Sequence, residues 1–598
     1  MPDLMPLTSK PTRHFVKHSN LTGILHIYLH VDMLAEHFRN IMTSVSFQRI
    51  FEKSTISVGM QKLVDMKKKY DFIIIGAGSA GCLLANRLSA DPAHNVLLVE
   101  AGGSDRRLWS RLPIGYYKTI YNQTFSRIFQ TEPCEGSGGR AIKWPRGRII
   151  GGSSSINGLI FIRGQKEDFD DWQSLGARGW DYQTVLPFFR KLEGYKGGES
   201  QFRGSLGELK VDDLRLRHPA CEAWLKAACE WGLPPIDDFN GNDSFGASRY
   251  QLTLDGRWRS SSARAFLHPI THRQNLTVIS SALVEKILFS DKQVTGIIAR
   301  RDGVRETYEA DKIIVSAGAL QSPQILQLSG IGPTALLRKH GIPVIHNAGQ
   351  VGQNLQDHYQ MRTIVQMRNG LSLNKDSRNP LKMALHGLKW LKDGSGVLSV
   401  GAGQAGAGAC TKYAENGRPD IQLLVMPLSV DKPGEPLHDY PGFTATVWQC
   451  HPKSRGSVEI RSADPAADPK IQPNYISEEH DQKVMIEGVK MMREIYHMAS
   501  FRDLWDTEIV PGADIDNDEK ILDCIRNNGG TVFHPVGTCR MGDDAGAVVD
   551  SELRVKGVKG LYVADASVMP KITSANTNAP SLMIGEKAAH HILQHHSG

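Results

Sequence analysis

Three glycines near residue 80 have the spacing that a nucleotide phosphate requires. The run Gly76-Ala77-Gly78-Ser79-Ala80-Gly81 follows the pattern GxGxxG. In such a turn the first glycine permits a tight bend, the second admits a pyrophosphate to backbone N–H groups, and the third lets a helix pack on a strand. Glu100 follows 24 residues after Gly76, where a carboxylate accepts hydrogen bonds from both ribose hydroxyls and disfavours a 2′-phosphate. The pattern predicts a dinucleotide site, and its place at the start of the fold favours FAD over NAD.

The residues around this turn predict a βαβ unit. Tyr70–Ile75 is a β-branched and aromatic run typical of a buried parallel strand. Cys82–Leu88 has apolar residues at helical spacing, and Val96–Glu100 is again apolar and β-branched. Strand, glycine turn, helix and strand within about 30 residues form a right-handed parallel unit.

Further buried strands are predicted far along the chain, at Thr277–Ser280, Lys312–Ser316 and Leu561–Val563. We therefore predict an α/β fold (α+β overall), in which a Rossmann-like FAD-binding domain is assembled from discontinuous segments, residues 66–164, 246–360 and 529–598. Residues 165–245 and 361–528 form a substrate-binding domain with a β-sheet and covering helices. Helical patterns such as Pro380–Trp390 and Ser477–His497 lie in this second domain.

The first 65 residues differ from the rest of the chain. Leu21–Phe47 is apolar in part, but charged residues and histidines interrupt it before it reaches the ~20 apolar residues of a membrane span. A mitochondrial transit peptide is disfavoured by four acidic residues, namely Asp3, Asp32, Glu36 and Glu52. We interpret residues 1–65 as a disordered extension, or as sequence preceding a natural start at Met66. A cytoplasmic protein is expected, with peripheral association with the inner membrane left open.

Composition excludes several classes of partner. The formal charge of +7 is spread over 598 residues without a basic and aromatic stripe, so no nucleic-acid partner is expected. None of the eight cysteines forms a CxxC pair. We predict reduced thiols and no metal site. The sequence does not decide the oligomeric state.

Three longer segments point to a family. They are Pro145–Gly158, Gly318–Gly332 and a C-terminal group made of Phe533–Gly542, Asp565–Pro570 and Asn576–Pro580. Together with the glycine turn they extend from Tyr70 almost to the C-terminus. In order and spacing the chain resembles the glucose–methanol–choline (GMC) oxidoreductases, and within them the branch of choline dehydrogenase and the bacterial FAD-dependent alcohol dehydrogenases.

This resemblance implies a set of FAD-contacting residues. It places Asn157 beside the isoalloxazine, the main chain of Val284 against the adenine, and Asp565 with Ala566 near the ribityl phosphate. The full predicted set is Gly76, Gly78, Ser79, Ala80, Gly81, Glu100, Ala101, Arg148, Gly151, Gly152, Ser153, Asn157, Gly158, Val284, Asp565, Ala566 and Asn578. Family members with covalent FAD have histidine where this chain has Ile156, so a non-covalent flavin is expected.

The resemblance also implies a catalytic pair. His534 is the expected base for the alcohol proton. It lies between Gly529-Gly530 and Pro535, where a turn would expose its side chain. Asn576 is expected to orient the alcohol oxygen or stabilise an alkoxide; the alternative is that it only caps the helix predicted over residues 578–590. Asn578 is expected to face the flavin. Phe533 is a candidate for the substrate pocket, where its ring could contact a trimethylammonium group.

The function predicted from these features is oxidation of a primary alcohol, choline-like or another small alcohol, to the aldehyde. A hydride passes to flavin N5, and the electrons then pass to a quinone or another acceptor. Three alternatives stay open: an oxidase that reduces O₂ to H₂O₂, a redox-silent FAD-containing lyase of the same fold, and a flavin-binding protein without activity. The presence of both His534 and Asn576 disfavours the last.

Overall fold

A computed structural model describes residues 69–431 and 434–595. The predictions made for residues 1–65, and for a start at Met66, lie outside the described residues. Within the described part of the chain, no helix is long and apolar enough to cross a membrane.

A seven-stranded sheet carries the predicted nucleotide turn. Six of its strands follow one another in the order Leu276–Ile279, Val96–Val99, Lys69–Ile75, Val304–Val315, Gln293–Arg301 and Ala282–Ser290. The seventh, Leu561–Val563, pairs in parallel with the end of Val304–Val315. Its buried Ile, Val and Leu residues form the first apolar core, together with the helices Ser79–Leu88 and Asn578–Gln594.

The strand Val304–Val315 joins two kinds of pairing. Its first half is antiparallel to Gln293–Arg301, and its second half is parallel to both Lys69–Ile75 and Leu561–Val563. Segments from the beginning, middle and end of the chain therefore share one sheet. The predicted discontinuous α/β fold is confirmed, and the strands near residues 70–75, 96–100, 277–280, 312–316 and 561–563 are all present.

A second seven-stranded sheet is entirely antiparallel. Its main order is Trp505–Val510, Tyr359–Met367, Gly442–Gln449, Ile421–Met426, Ala405–Ala409 and Gly246–Arg249, and Gly530–Thr531 also pairs with Tyr359–Met367. One face packs against the helices Pro219–Trp231 and Glu479–Tyr496 in a second apolar core. The predicted sheet with covering helices is thus confirmed, whereas the exact domain boundaries stay a prediction.

The remaining helices of at least eight residues cover these two sheets or connect their strands. Their bounds are Lys166–Ser174, Tyr182–Leu192, Gly318–Leu328, Pro380–Asp393 and Asp518–Asn528. The helical patterns predicted at residues 380–390 and 477–497 correspond to Pro380–Asp393 and Glu479–Tyr496.

The turn after the strand Val96–Val99 lies directly against the loop that follows Gly147. A Cβ at Gly102 would lie 2.0 Å from the carbonyl carbon of Arg148, whereas a Cβ at Gly103 would meet no atom within 4 Å. The backbone N–H of Gly102 also donates to the Glu100 carboxylate at 2.7 Å. Only glycine at residue 102 allows this close approach of two backbone segments.

These two neighbouring glycines give a matched test of the packing. Gly102→Ala should lower the free energy of unfolding by about 1–3 kcal/mol, because backbone must move to admit the methyl group. Gly103→Ala should lower the free energy of unfolding by no more than about 0.5 kcal/mol. Denaturant unfolding of both variants measures the difference; equal stability would contradict the proposed contact.

Candidate active site

A groove runs along the carboxyl ends of the first sheet. The helix Ser79–Leu88 begins there, and its N-cap residue Gly78 provides no side-chain hydrogen bond to the first turn. The first-turn N–H groups have no partner within the helix, so they give this end a partial positive charge. A groove of glycines beside such a helix end fits a pyrophosphate.

Glu100 lies at the end of the second strand and lines the same groove. Its carboxylate accepts the backbone N–H groups of Ala77 at 2.9 Å and Gly102 at 2.7 Å. Burial outweighs these bonds and raises the pKa of Glu100 to about 7. A carboxylate has about four acceptor positions, so two remain for hydroxyl groups of a nucleotide.

The loop Gly147–Asn157 crosses over the glycine turn. The N–H of Gly151 donates to the carbonyl of Ala77 at 2.7 Å, and a Cβ at Gly152 would lie 2.7 Å from the Cα of Gly78. Both Gly151 and Gly152 have positive φ, which favours glycine. The loop thereby brings Gly152 and Ser153 to the groove.

Asp565 connects the groove to the C-terminal segment. One carboxylate oxygen accepts from Gly318 N–H at 2.8 Å and from the Ser322 hydroxyl at 2.5 Å, and the other accepts from Ser567 N–H at 2.8 Å. These bonds fix the start of the helix Gly318–Leu328 against the loop after Leu561–Val563. Asp565 lines the groove, and its role near the ribityl phosphate stays a prediction.

A cavity of about 200 Å³ continues from the groove, and His534 lies in its wall. The backbone N–H of His534 donates to the buried carboxylate of Asp357 at 2.8 Å, which also accepts the hydroxyls of Tyr475 and Thr531. The preceding residue, Phe533, adopts a positive φ of 67°, and its carbonyl accepts from Arg146 at 2.8 Å. Several hydrogen bonds therefore hold a backbone conformation that is unfavourable for a bulky residue.

A chain of two hydrogen bonds determines the tautomer of His534. His358 Nε2 lies 3.0 Å from the carbonyl of Cys450, and because a carbonyl only accepts, this nitrogen carries the hydrogen. In neutral His358 the other nitrogen, Nδ1, must then accept, and it lies 3.0 Å from His534 Nδ1. His534 Nδ1 is consequently protonated, and His534 Nε2 retains its lone pair.

Burial keeps both imidazoles neutral. It lowers the pKa of His534 well below the usual 6.5, and the neighbouring His358 and Arg146 lower it further. Burial likewise lowers the pKa of His358 to about 4. At neutral pH the lone pair on His534 Nε2 is therefore available to accept a proton.

Asn576 approaches this lone pair. Its Nδ2 lies 3.1 Å from His534 Nε2, while its buried Oδ1 has no partner among the described residues. The following helix, Asn578–Gln594, has Thr577 as its N-cap residue. Asn576 thus contacts the histidine and does not cap the helix. Asn578 accepts from the Ser79 hydroxyl at 2.7 Å, so it connects the starts of two helices at the cavity.

The second sheet forms another wall of the cavity. Gln360 and Arg362 alternate along one strand, and their partners across the ladder are Trp448 and Thr446. Leu424 pairs with Thr446 on the next strand and lines the same cavity. The face opposite the covering helices therefore lies over the site, so both sheets contribute to one cavity.

Most of the predicted site residues lie in these two adjoining spaces. Those lining the groove are Gly76, Gly78, Ser79, Ala80, Glu100, Ala101, Gly152, Ser153, Val284, Asp565 and Ala566. Those lining the cavity are Ser79, Ser153, Asn157, Gly158, Phe533, His534, Ala566, Asn576 and Asn578. Gly81, Arg148 and Gly151 line neither space. Their assigned contacts with FAD stay predictions.

The sequence analysis missed residues that the structure places at the site. His358 orients His534 and follows Asp357 just before a strand. In the sequence, only the adjacency of an acidic and an imidazole side chain could have marked it as a functional residue. Arg146 lines both the groove and the cavity, although it lies within a segment already singled out. Gln360, Arg362 and Trp448 have no sequence signal beyond alternation in a strand.

Comparison with known proteins agrees with this geometry. Two family models, both described as GMC oxidoreductase, match residues 70–360 and 452–585. Over 537 residues the chain is 38% identical to alcohol dehydrogenase (acceptor) of Pseudomonas putida, covering 88% of this chain and 96% of that protein. It is also 38% identical over 535 residues to mitochondrial choline dehydrogenase of Homo sapiens, covering 88% of this chain and 90% of that protein.

Solved structures show the same fold. The pyridoxine 4-oxidase from Mesorbium loti superposes with a TM-score of 0.79 at 29% identity, covering 88% of this chain and 99% of that chain. An FAD-dependent oxidoreductase from Chaetomium thermophilum gives a TM-score of 0.81 at 28% identity, covering 88% and 100%. The resemblance stated from the sequence motifs is confirmed: the chain belongs to the GMC oxidoreductase family.

Proposed function

We propose that this protein oxidises a primary alcohol to the aldehyde with non-covalently bound FAD and passes the electrons to a quinone or similar carrier. The observation that carries the proposal is the unprotonated His534 Nε2, which accepts a hydrogen bond from the Asn576 amide in the wall of a cavity that adjoins the nucleotide groove. The names of the two relatives, an alcohol dehydrogenase and a choline dehydrogenase, support this reaction class.

The residues of the groove fit FAD. The uncapped start of the helix Ser79–Leu88 would hold the pyrophosphate, and Glu100 has acceptor positions left for the ribose hydroxyls. Asn157 and Ala566 line the junction with the cavity, where the isoalloxazine would lie. Bound FAD would supply the two-electron acceptor for the carbinol carbon.

The protein's own part in the reaction is to move one proton and to hold one oxygen. An alcohol hydroxyl that takes the place of the Asn576 N–H at His534 Nε2 gives up its proton there, and the resulting imidazolium keeps its Nδ1–H bond to His358. The Asn576 Nδ2–H group lies close enough to donate to the same oxygen and so to stabilise developing negative charge. Apolar wall residues such as Leu424 and Trp448 limit the access of water.

Two details of the proposal rest on particular residues or relatives. Ile156 lines the cavity with a side chain that cannot form a covalent bond to the flavin, so acid denaturation should release all of the yellow flavin into solution.

The electron acceptor is proposed by likeness to alcohol dehydrogenase (acceptor) of Pseudomonas putida. Stoichiometric peroxide on readmission of air would instead identify an oxidase.

Anaerobic reduction of the bound flavin tests the main proposal. A panel of primary alcohols should bleach the wild-type protein, and His534→Ala should slow bleaching by at least about 10²-fold, because the alcohol loses its base. His272→Ala, which replaces an exposed histidine, serves as the matched control. Bleaching by no alcohol would refute the redox function, whereas normal bleaching of the His534 variant would refute only its role as base.

The pH dependence of bleaching follows from the low pKa of His534. The base works only when unprotonated, and burial moves its protonation below the usual pH of 6.5. The rate constant should therefore stay level from pH 8 down to 6.5 and fall only in more acidic solution. Stopped-flow pH jumps provide the measurement; a midpoint at or above the ordinary histidine pKa would show that His534 is not buried and neutral as described.

A further inference from the structure

The cavity contains an arginine with no partner among the described residues. Arg362 lines the wall formed by the second sheet, but it makes no hydrogen bond or ion pair there with any residue of 69–431 or 434–595. The buried arginines Arg163 and Arg203 both pair with Glu193, and the buried Arg259 donates to carbonyl oxygens. Arg146, at the other side of the same cavity, donates to a backbone carbonyl.

An unpaired guanidinium in such a place is costly. Burial lowers the pKa of Arg362, and the only neighbours that oppose this are the neutral hydroxyls of Tyr116, Tyr117 and Tyr121. Arg362 is half-buried, and a charge withdrawn from water without a counter-charge is less stable than a paired one. Its five N–H donors in a fixed fork match the two oxygens of a carboxylate.

The rest of the cavity lacks a counter-charge. Its described lining includes no aspartate or glutamate, and its two charged side chains, Arg146 and Arg362, are both cationic. A quaternary ammonium substrate would meet like charge in a low-dielectric space. Cation–π contacts with the aromatic rings that line the cavity would be its compensation; these rings belong to Tyr116, Tyr117, Trp448 and Phe533.

Arg362 is also placed at a useful distance from the base. It lies on the strand Tyr359–Met367, four residues after His358, and extended chain of that length separates their Cα atoms by about 13 Å. His358 in turn contacts His534. A ligand with its carbinol at His534 and an anionic group at Arg362 would therefore be extended, with several bonds between the two groups.

We propose that the cavity takes alcohols that also carry a carboxylate, with Arg362 as the residue that binds the carboxylate and determines specificity. This inference rests on the proposed alcohol oxidation and adds the substrate class to it. It disfavours choline, the candidate raised by the branch that the sequence resembles.

A charge-matched panel of alcohols tests this assignment. Choline, its uncharged isostere 3,3-dimethylbutan-1-ol and a series of ω-hydroxy acids would be compared by anaerobic flavin bleaching. The best hydroxy acid should exceed the neutral alcohol in kcat/KM by about 10- to 100-fold, the usual worth of a hydrogen-bonded charge pair. In Arg362→Gln this ratio should fall close to one, and Arg362→Lys should restore part of it. Arg338→Gln, at an exposed arginine, should leave the ratio unchanged.

Binding without turnover gives a second readout. Butyrate and longer fatty acid anions, which lack the hydroxyl, should bind the holoenzyme by calorimetry, and Arg362→Gln should weaken that binding by about 10-fold or more. Bleaching by choline or neutral alcohols but not by hydroxy acids would overturn the carboxylate assignment and leave alcohol oxidation intact. Bleaching by no alcohol of any charge would refute the proposed function itself.

A second, independent feature is an exposed apolar stripe on the helix Pro380–Asp393. Leu381, Leu385, Leu388 and Leu391 are 77%, 64%, 62% and 58% exposed. Their spacing places them on one side of the helix, whereas Trp390 on the opposite side is buried and packs edge-on against Trp258. Soluble helices normally turn such a stripe towards a core, so this stripe indicates a partner.

The charges beside the stripe indicate which partner. Lys389 and Lys392 are exposed and form no ion pair among the residues that the structure describes, while Lys382 pairs with Asp376. Leucines bordered by free lysines are typical of helices that lie in the plane of a membrane with anionic lipids. We infer that this helix docks the protein on an anionic bilayer, where a lipid-soluble electron carrier would also be found.

Vesicle co-sedimentation of the full chain tests the docking surface. The protein should bind vesicles that contain phosphatidylglycerol and bind pure phosphatidylcholine far more weakly. The double variant Leu385→Ser/Leu388→Ser should lower partitioning by about 10-fold or more. Leu206→Ser, at another exposed leucine, should not change partitioning.

Three results would overturn the docking inference. One is equal sedimentation of wild type and double variant. Another is a concentration-dependent dimer that the double variant abolishes, since the stripe would then be an interface between copies of this chain. The third is vesicle binding by a chain that lacks residues 1–66, with no binding by the full chain.

Discussion

The chemistry proposed for this site depends on a single backbone carbonyl. Cys450 C=O can only accept, so it fixes the proton on His358 Nε2, and this leaves His358 Nδ1 able only to accept from His534. Without that hydrogen bond, either nitrogen of His534 could hold the proton. The tautomer with its proton on Nε2 would have no base facing the cavity. The orientation of the Asn576 amide follows from the same constraint, because its N–H must meet the lone pair.

This carbonyl lies at the end of the second sheet, whereas the nucleotide groove belongs to the first. Cys450 follows the strand Gly442–Gln449, and His358 precedes the strand Tyr359–Met367. The antiparallel pairing of these two strands thus sets the distance on which the hydrogen-bond chain depends. The same pairing places Arg362 and Trp448 over the cavity. In the proposed function, one sheet would bind the cofactor, and the other would both orient the base and line the substrate cavity.

Sequence patterns were sufficient for the elements with strong local signals. The β-branched run Tyr70–Ile75 and the short strand Leu561–Val563 were both predicted, because buried parallel strands are apolar on both faces. Family motifs led to His534 and Asn576. That Asn576 contacts His534 and does not cap the helix became visible only from the position of His534 in space, since both arrangements suit an asparagine just before a helix.

Other features depend on pairings between distant segments and had no local signal. His358 gains its role from Cys450, which is 92 residues away. The isolation of Arg362 reflects what the strands Ile421–Met426 and Gly442–Gln449 place around it. The helix Pro380–Asp393 was predicted, but its apolar stripe would ordinarily have been assigned to a core.

The shared strand Val304–Val315 has a consequence for synthesis of the protein. The C-terminal half of this strand pairs with Leu561–Val563, which is synthesised about 250 residues later. The same late part of the chain contributes His534, Asn576 and the helix Asn578–Gln594. A nascent chain on the ribosome can therefore form the βαβ unit and the hairpins early, but it displays an open sheet edge until residues 561–594 emerge. Because such edges invite wrong pairing, we expect the newly made chain to be most prone to misfolding in this interval.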